Sequence, residues 1–326
     1  MMKHYSKMHR VNCRGVGLIE IMIALALGAI IMLGVTQIAT NNSNTRNELE
    51  RFGRQLEAAN FAMGAIEADV TNAAYWGERG SLDPNSPSPI CPADAGELEL
   101  SMGFPIQGGQ GTIDCTPADF ATKANTDYLA VRRASSCANG STGCPAAAGD
   151  YHLQVHACFD STSALKPGDS FKIDSNLSNL DLLKRSCNPA DPSPKYRFIS
   201  RIYYVDDNDT LRRAELSGDD YSSEALVENV EMMRFEYGLD TDGDSQVDDY
   251  ASNVADPNDA RWEDVVMVRV GLIVRNHEAS AGFTDNRSYT VGGYAYTPPA
   301  ALKPFRRQLY TRTISTRNIA GRREVN

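Results

Sequence analysis

The sequence predicts an α+β protein, with one long N-terminal helix and a head built on an antiparallel sheet. Three observations carry this prediction. No charged residue occurs from Ile21 to Ile38, so the chain starts with a segment that is apolar all round and long enough to cross a membrane. That segment runs without a break into Leu49, Phe52, Leu56, Ala59, Met63, Ile66, Val70 and Ala73, spaced in alternating steps of three and four as on one helix face. Beyond residue 195 the β-type runs succeed one another with no helices between them, which is the order of an α+β head and not of a parallel sheet.

Ahead of the helix, Lys3, Lys7, Arg10 and Arg14 precede Gly15 with no acidic residue among them. A secretory signal is cut after its apolar region, at small residues. Ala39-Thr40-Asn41-Asn42 offers nothing of that kind, and the natural breakpoint is Gly15/Val16. Glu20 then stands five residues into the remainder, where a carboxylate in a membrane segment costs about 2.5–3.5 kcal/mol and calls for a partner. The α-amine of Val16, once freed, is that partner, either within the chain or from a neighbouring subunit. The alternative is an uncleaved signal anchor with Glu20 snorkelling to the interface. The helix, predicted from about Gly17 to Tyr75, would measure about 90 Å at about 1.5 Å per residue. Gly28 and Gly34 each weaken it by about 1 kcal/mol relative to Ala, and both suit close helix packing. Gly77 and Gly80 end it.

Residues from about 82 to 125 are rich in Pro, Gly, Ser and Asp and read as irregular. Strands are predicted at Asp127–Arg133, Tyr151–Phe159 and Ser170–Ile173, with a Pro-rich connector at 188–194. Tyr196–Val205 and Thr210–Leu216 flank Asp206-Asp207-Asn208-Asp209 as a hairpin with a polar turn. Val230–Leu239, Val265–Val274 and Phe305–Asn318 follow as strands. The predicted organisation is 1–15 leader, 16–78 helix (16–40 membrane or filament core), 79–195 Cys-rich insertion of the head, and 196–326 antiparallel β head.

The net charge of the chain is -10. Loss of the four basic leader residues brings it nearer -14, a balance opposed to general nucleic-acid binding, which needs basic patches. Arg306, Arg307, Arg312, Arg317, Arg322 and Arg323 crowd the C-terminal end and read as strand and tail residues. Of seven cysteines, Cys13 lies in the leader. The remaining Cys91, Cys115, Cys137, Cys144, Cys158 and Cys187 would lie outside the cytoplasm by the positive-inside rule, in an oxidising compartment. Six cysteines allow 15 connectivities; sequence-adjacent pairing is the expectation.

Asp240-Thr241-Asp242-Gly243-Asp244-Ser245-Gln246-Val247-Asp248-Asp249 places five carboxylates in ten residues. Hard divalent cations take oxygen ligands from such loops, and Ca²⁺ tolerates irregular geometry. The run departs from an EF-hand at Ser245 and at Ala251. A structural Ca²⁺ held by Asp240, Asp242 and Asp244, with Asp248 or Asp249 closing the shell, is one reading. A solvated acidic turn is the other. His152, His156 and Cys158 share one strand face by parity and invite zinc, but no fourth ligand is evident. No P-loop, nucleophile elbow or His-Glu-x-x-His occurs, and nothing argues for an enzyme.

Gly15, Val16, Leu18, Ile19 and Glu20 resemble a type IV prepilin leader, with Val16-Gly17 in place of the common Phe-Thr or Phe-Ser. The resemblance implies cleavage after Gly15 by a prepilin peptidase, N-methylation of Val16, and filament assembly through Glu20. Ile21-Met22-Ile23-Ala24-Leu25-Ala26-Leu27-Gly28, Val227 through Gly238, Trp262 with Val265 through Val270, and Thr313 through Asn318 resemble the PilW-type minor pilins of the type IV pilus. That resemblance implies a type IV pilin-like fold and a role in pilus biogenesis and twitching motility. Such a protein primes assembly and sits in a tip complex with other minor pilins, major pilin and an adhesin. It further implies an inner-membrane precursor with a periplasmic head, and pilus localisation after assembly. The alternatives are a J-type pseudopilin of type II secretion and a signal-anchored periplasmic enzyme or binding protein.

Overall fold

The computed structural model describes Gly15 and residues 17–79, 88–115, 120–144, 149–159, 170–252 and 259–323. Val16, Cys13, Gly80 and the basic leader residues lie outside these. The chain forms two units, 1–52 and 53–326, and helix α1 (Leu18–Asn72) begins in the first and ends in the second.

In the first unit every large apolar side chain from Leu18 to Ile38 is exposed. Thr40 and Thr45 donate their hydroxyls to the carbonyls of Thr36 and Asn41 at 3.0 and 2.9 Å, which satisfies polar groups within the helix itself. A Cβ placed on Gly28 or Gly34 would meet nothing within 4 Å, so neither glycine is required by packing within this chain.

In the second unit α1 runs on to Asn72 and is followed by α2 (Ala95–Ser101), β1 (Ile106–Gln110), β2 (Asp127–Ala138), β3 (His152–Val155), β4 (Phe171–Asp174), β5 (Lys195–Val205), β6 (Thr210–Ser217) and β7 (Asp220–Glu228). Then come β8 (Val230–Leu239), β9 (Asp249–Ala251), β10 (Val265–Arg275), β11 (Tyr289–Val291), β12 (Tyr294–Tyr296), β13 (Arg307–Ser315) and α3 (Arg317–Arg323). β1 to β7 make one sheet and β13-β10-β8-β9 a second. All the strand pairings are antiparallel. β5 branches the first sheet: one edge pairs β2, while the other pairs β3 through Lys195–Arg197 and β6 through Arg201–Val205. Strands from both sides of residue 195 therefore share one sheet, and 195 marks a change in composition, not a break in the sheet.

The main core places Ala59, Met63, Ile66 and Val70 of α1 against Leu129 and Tyr203 of the first sheet and Phe235 and Val268 of the second. The predicted apolar stripe is buried only from Ala59 onward. Leu49, Phe52 and Leu56 are exposed, and Gln55, the first buried residue of α1, donates its amide to the Val274 carbonyl. The helix also ends earlier than Tyr75. Ala74 takes a φ of 60° and donates its N–H to Arg132 O at 3.1 Å, and Ala134 donates to Tyr75 O at 2.7 Å. This turn delivers Trp76 into a second core with Leu98, Met102, Phe198 and Ile202.

Other departures share a physical cause: the elements are short or polar. α2 lies inside the stretch read as irregular, β3 is shorter than the strand expected at 151–159, and β7 and α3 were not predicted. The link from β10 to β13 folds β11 and β12 onto the outer face of the second sheet, where Met232, Ile273, Val291 and Tyr296 cluster. Gly271 permits this approach, since a Cβ there would lie 2.3 Å from Val291 Cγ2. Arg307, buried with Glu231 and Asp285, donates to both carboxylates at 2.8 and 2.9 Å and fixes the ends of the link.

Candidate functional site

At the N-terminus, Gly17 donates its backbone N–H to Glu20 Oε2 at 3.2 Å. An acidic side chain in the first helical turn satisfies an otherwise orphaned donor and complements the helix dipole. Gly15 and Glu20 are both exposed. The carboxylate is thus held within the first turn of the helix, four positions after residue 16 in the sequence.

Six cysteines are bonded as Cys91–Cys115, Cys137–Cys144 and Cys158–Cys187, the sequence-adjacent pairing. All three lie between α1 and β5, where they close loops of 24, 7 and 29 residues and so restrict the unfolded chain. Cys158 is therefore no zinc ligand, and His152 is fully buried with Nδ1 2.8 Å from Asp150 O.

In the acidic loop, Asp240, Asp242 and Asp244 each bring one carboxylate oxygen to within 4.8 Å of the others. Asp240 is fully buried and accepts from Gly243 N at 2.7 Å and Ser245 N at 3.0 Å. Asp248 and Asp249 stand outside this group. Asp248 accepts from the N–H and hydroxyl of Thr241, both at 2.8 Å, and those bonds hold its pKa below the ordinary value. Asp249 accepts from Tyr250 N at 2.8 Å. The loop is also tied to the C-terminal helix, because Ser245 donates its hydroxyl to Ala320 O at 2.6 Å.

Two buried carboxylates that sequence reasoning did not single out do the most to join the elements. Asp69 precedes Val70 of the apolar stripe of α1 and is 1% exposed. It receives Arg133 at 3.1–3.2 Å, Arg201 at 3.0–3.1 Å and the Tyr203 hydroxyl at 2.6 Å. Asp69 thus pins the helix to β2 and β5, and Arg201 and Arg197 also grip Glu215 of β6 at 2.8 Å each. The available signal was Arg133 and Arg201 sitting within otherwise apolar strands, where a buried cation needs a counter-charge.

Asp127 joins the sheets. It accepts from Phe235 N at 2.8 Å and from Gln110 at 2.8 Å, and it pairs with Arg234 at 3.1 Å. Burial pushes its pKa up from 3.8 to about 6, outweighing the Phe235 N–H, Arg234 and Gln110, which pull it down. The folded state then holds the proton more tightly than the unfolded chain does. The stability this contributes is complete below about pH 3.8 and lost as pH rises through about 6. Relative to Asp127→Asn, the parent chain should lose about 3 kcal/mol from about pH 4 to about pH 7. Urea unfolding across that range checks this, and a flat difference between the two proteins would contradict it.

Comparison with known proteins agrees with both ends of the chain. The family model of the type IV pilus-assembly protein W matches residues 202–318, and that of the prokaryotic N-terminal methylation motif matches residues 10–36. The first spans β6 to β13 and the second covers Gly15 to Glu20 and the start of α1. No curated protein sequence matches. Among solved structures, a type IV-like pilin from Thermus thermophilus aligns over 82% of this chain and 98% of its own, at 9% identity and a TM-score of 0.37. The N-terminal methylation motif and the PilW region together support a PilW-type minor pilin of the type IV pilus.

Proposed function

We propose that this minor pilin is cut after Gly15 by a prepilin peptidase, methylated on the Val16 amine, and held in the inner membrane with its head in the periplasm. From there it primes pilus assembly and takes a place at the filament tip with other minor pilins, the major pilin and an adhesin. The observation that carries the reading is the fully exposed apolar run of α1, led by a Glu20 carboxylate one turn from residue 16. That surface needs an apolar environment, and a membrane followed by a bundle of similar helices supplies one. A large head stapled by three disulfides suits a tip subunit better than one repeated along a thin fibre. The intact mass of the protein extracted from membranes tests the first step. A chain beginning at N-methyl-Val16 is expected; one still carrying Met1 and Cys13 would point to a signal anchor.

The same reading gives Asp240, Asp242 and Asp244 a structural Ca²⁺, which would order the link between the long strands β8 and β10. Their gathered oxygens support this, since three carboxylates so close repel one another without a cation. Saturating Ca²⁺ should then raise stability by about 2.7 kcal/mol at a hundredfold excess over Kd, reversibly with chelator and not in an Asp240→Asn/Asp242→Asn variant. An unfolding curve unmoved by Ca²⁺ would leave the loop a hydrogen-bonded acidic turn.

A further inference from the structure

The three disulfides differ in what surrounds them. Cys91 and Cys115 are 7% and 8% exposed and belong to the second core with Leu98 and Met102. Cys158 is 6% exposed, and its segment is tied down by the bond from Ala157 N to Leu183 O at 2.9 Å. Cys137 and Cys144 are both half-buried and stand outside the cores. Between them Gly140, Ser141, Thr142 and Gly143 are exposed, and the loop carries no apolar side chain larger than alanine. Burial therefore does little to hold it in place. The bond closes a loop of 7 residues, against 24 and 29 for the other two, so it restrains the unfolded chain least.

The end of β2 is also placed to open locally. β2 pairs with β5 in register as far as Ala134 and Phe198, then bulges before Ala138 meets Tyr196. Ahead of the bulge the strand is held firmly, Arg132 N donating to Pro105 O at 2.8 Å and Ala134 N to Tyr75 O at 2.7 Å. Beyond it, Asn139 N donates to Lys195 O at 2.8 Å, and the turn is closed by Gly140 N to Cys144 O at 3.0 Å. A bulge interrupts the ladder, so fraying that begins at Cys144 stops at Ala134. The Ser141 hydroxyl lies 3.8 Å from Cys137 Sγ, where it can donate to that sulfur as a thiolate and ease its departure. Exposed disulfides are the ones that thiols reach first. We propose that Cys137–Cys144 is a redox clasp, opened by a dithiol reductant through disulfide exchange, which frees the loop at the end of β2 while the rest of the head stays folded. The attacking thiolate bonds to Cys144 Sγ and expels the Cys137 thiolate, and the reductant's second thiolate then displaces Cys144. The reductant ends as a disulfide, and the two cysteines take up its two electrons and two protons. The proposal is independent of the pilin reading.

Graded dithiothreitol on the full chain in detergent, with free thiols trapped by N-ethylmaleimide and assigned by peptide mass spectrometry, tests it. Cys137 and Cys144 should label at about tenfold less reductant than the other bonded cysteines. The far-ultraviolet circular dichroism should stay that of the oxidised chain over the same range. Cys137→Ser/Cys144→Ser should keep a cooperative transition and a melting temperature within a few degrees of the parent chain, whereas Cys91→Ser/Cys115→Ser should lower it further. Labelling of all the bonded cysteines together, earlier labelling of another pair, or loss of the native spectrum as Cys137 and Cys144 open would overturn the proposal. So would equal falls in melting temperature for the two double variants.

Discussion

Asp69→Ala should cost the head about 3–5 kcal/mol, because it leaves two arginines in a buried site without their shared counter-charge. Arg133 and Arg201 have side chains only 15% and 18% exposed, facing a carboxylate that is 2% exposed. Burial alone would lower the Arg201 pKa, and the Asp69 and Glu215 carboxylates more than offset it, so the guanidinium stays charged. Tyr203 would lose its acceptor at the same time. The melting temperature should fall on the order of 10 °C. Glu67→Ala is the matched control. Its partner Arg312 sits at 2.6 Å, but the side chains are 47% and 34% exposed, and such pairs contribute about 0–1 kcal/mol. Thermal unfolding of both variants by circular dichroism checks the contrast; equal shifts would show that Asp69 does not fasten the helix to the sheets.

Glu20→Ala should leave membrane insertion intact and abolish incorporation into the filament. On the proposed reading, Glu20 neutralises the Val16 amine of its own or a neighbouring subunit once both enter an apolar bundle. An amine left alone there would cost about 3–5 kcal/mol, enough to stop addition of a subunit. Insertion itself should become easier, since the change removes a carboxylate from an otherwise apolar segment. Fractionation followed by immunoblotting of sheared pili and membranes separates the two steps. Normal amounts of Glu20→Ala in the sheared fraction would show that assembly does not depend on this carboxylate.

The elements legible in the sequence were those with a strong period. Residues 18–72 declared themselves by length and by an apolar stripe, and β2, β5, β6, β8, β10 and β13 by β-branched and aromatic runs. What escaped was short or set by distant partners. α2 has seven residues, although Asp94 caps it by accepting from Glu97 N at 2.9 Å, a readable start signal; Glu97 in turn accepts from Ala93 N at 2.9 Å. β7 carries Ser222, Ser223 and Glu224 along an edge, with no alternation to mark it. The burial of Asp69 was not legible because its partners lie 64 and 132 positions away. The exposed Leu49, Phe52 and Leu56 show the reverse limit: a periodic pattern marks a face to be covered without saying whether this chain covers it. In the acidic loop, Asp240, Asp242 and Asp244 were legible as a group, whereas the turn of Asp248 towards Thr241 depends on local hydrogen bonds that composition does not reveal.

Surface pili and twitching in a strain lacking this chain, scored beside secretion of type II substrates, test the central claim most directly. Pili and twitching lost, with secretion intact and both restored by the parent chain, is the result the account predicts. Intact pili with lost secretion would contradict it and make this chain a secretion pseudopilin.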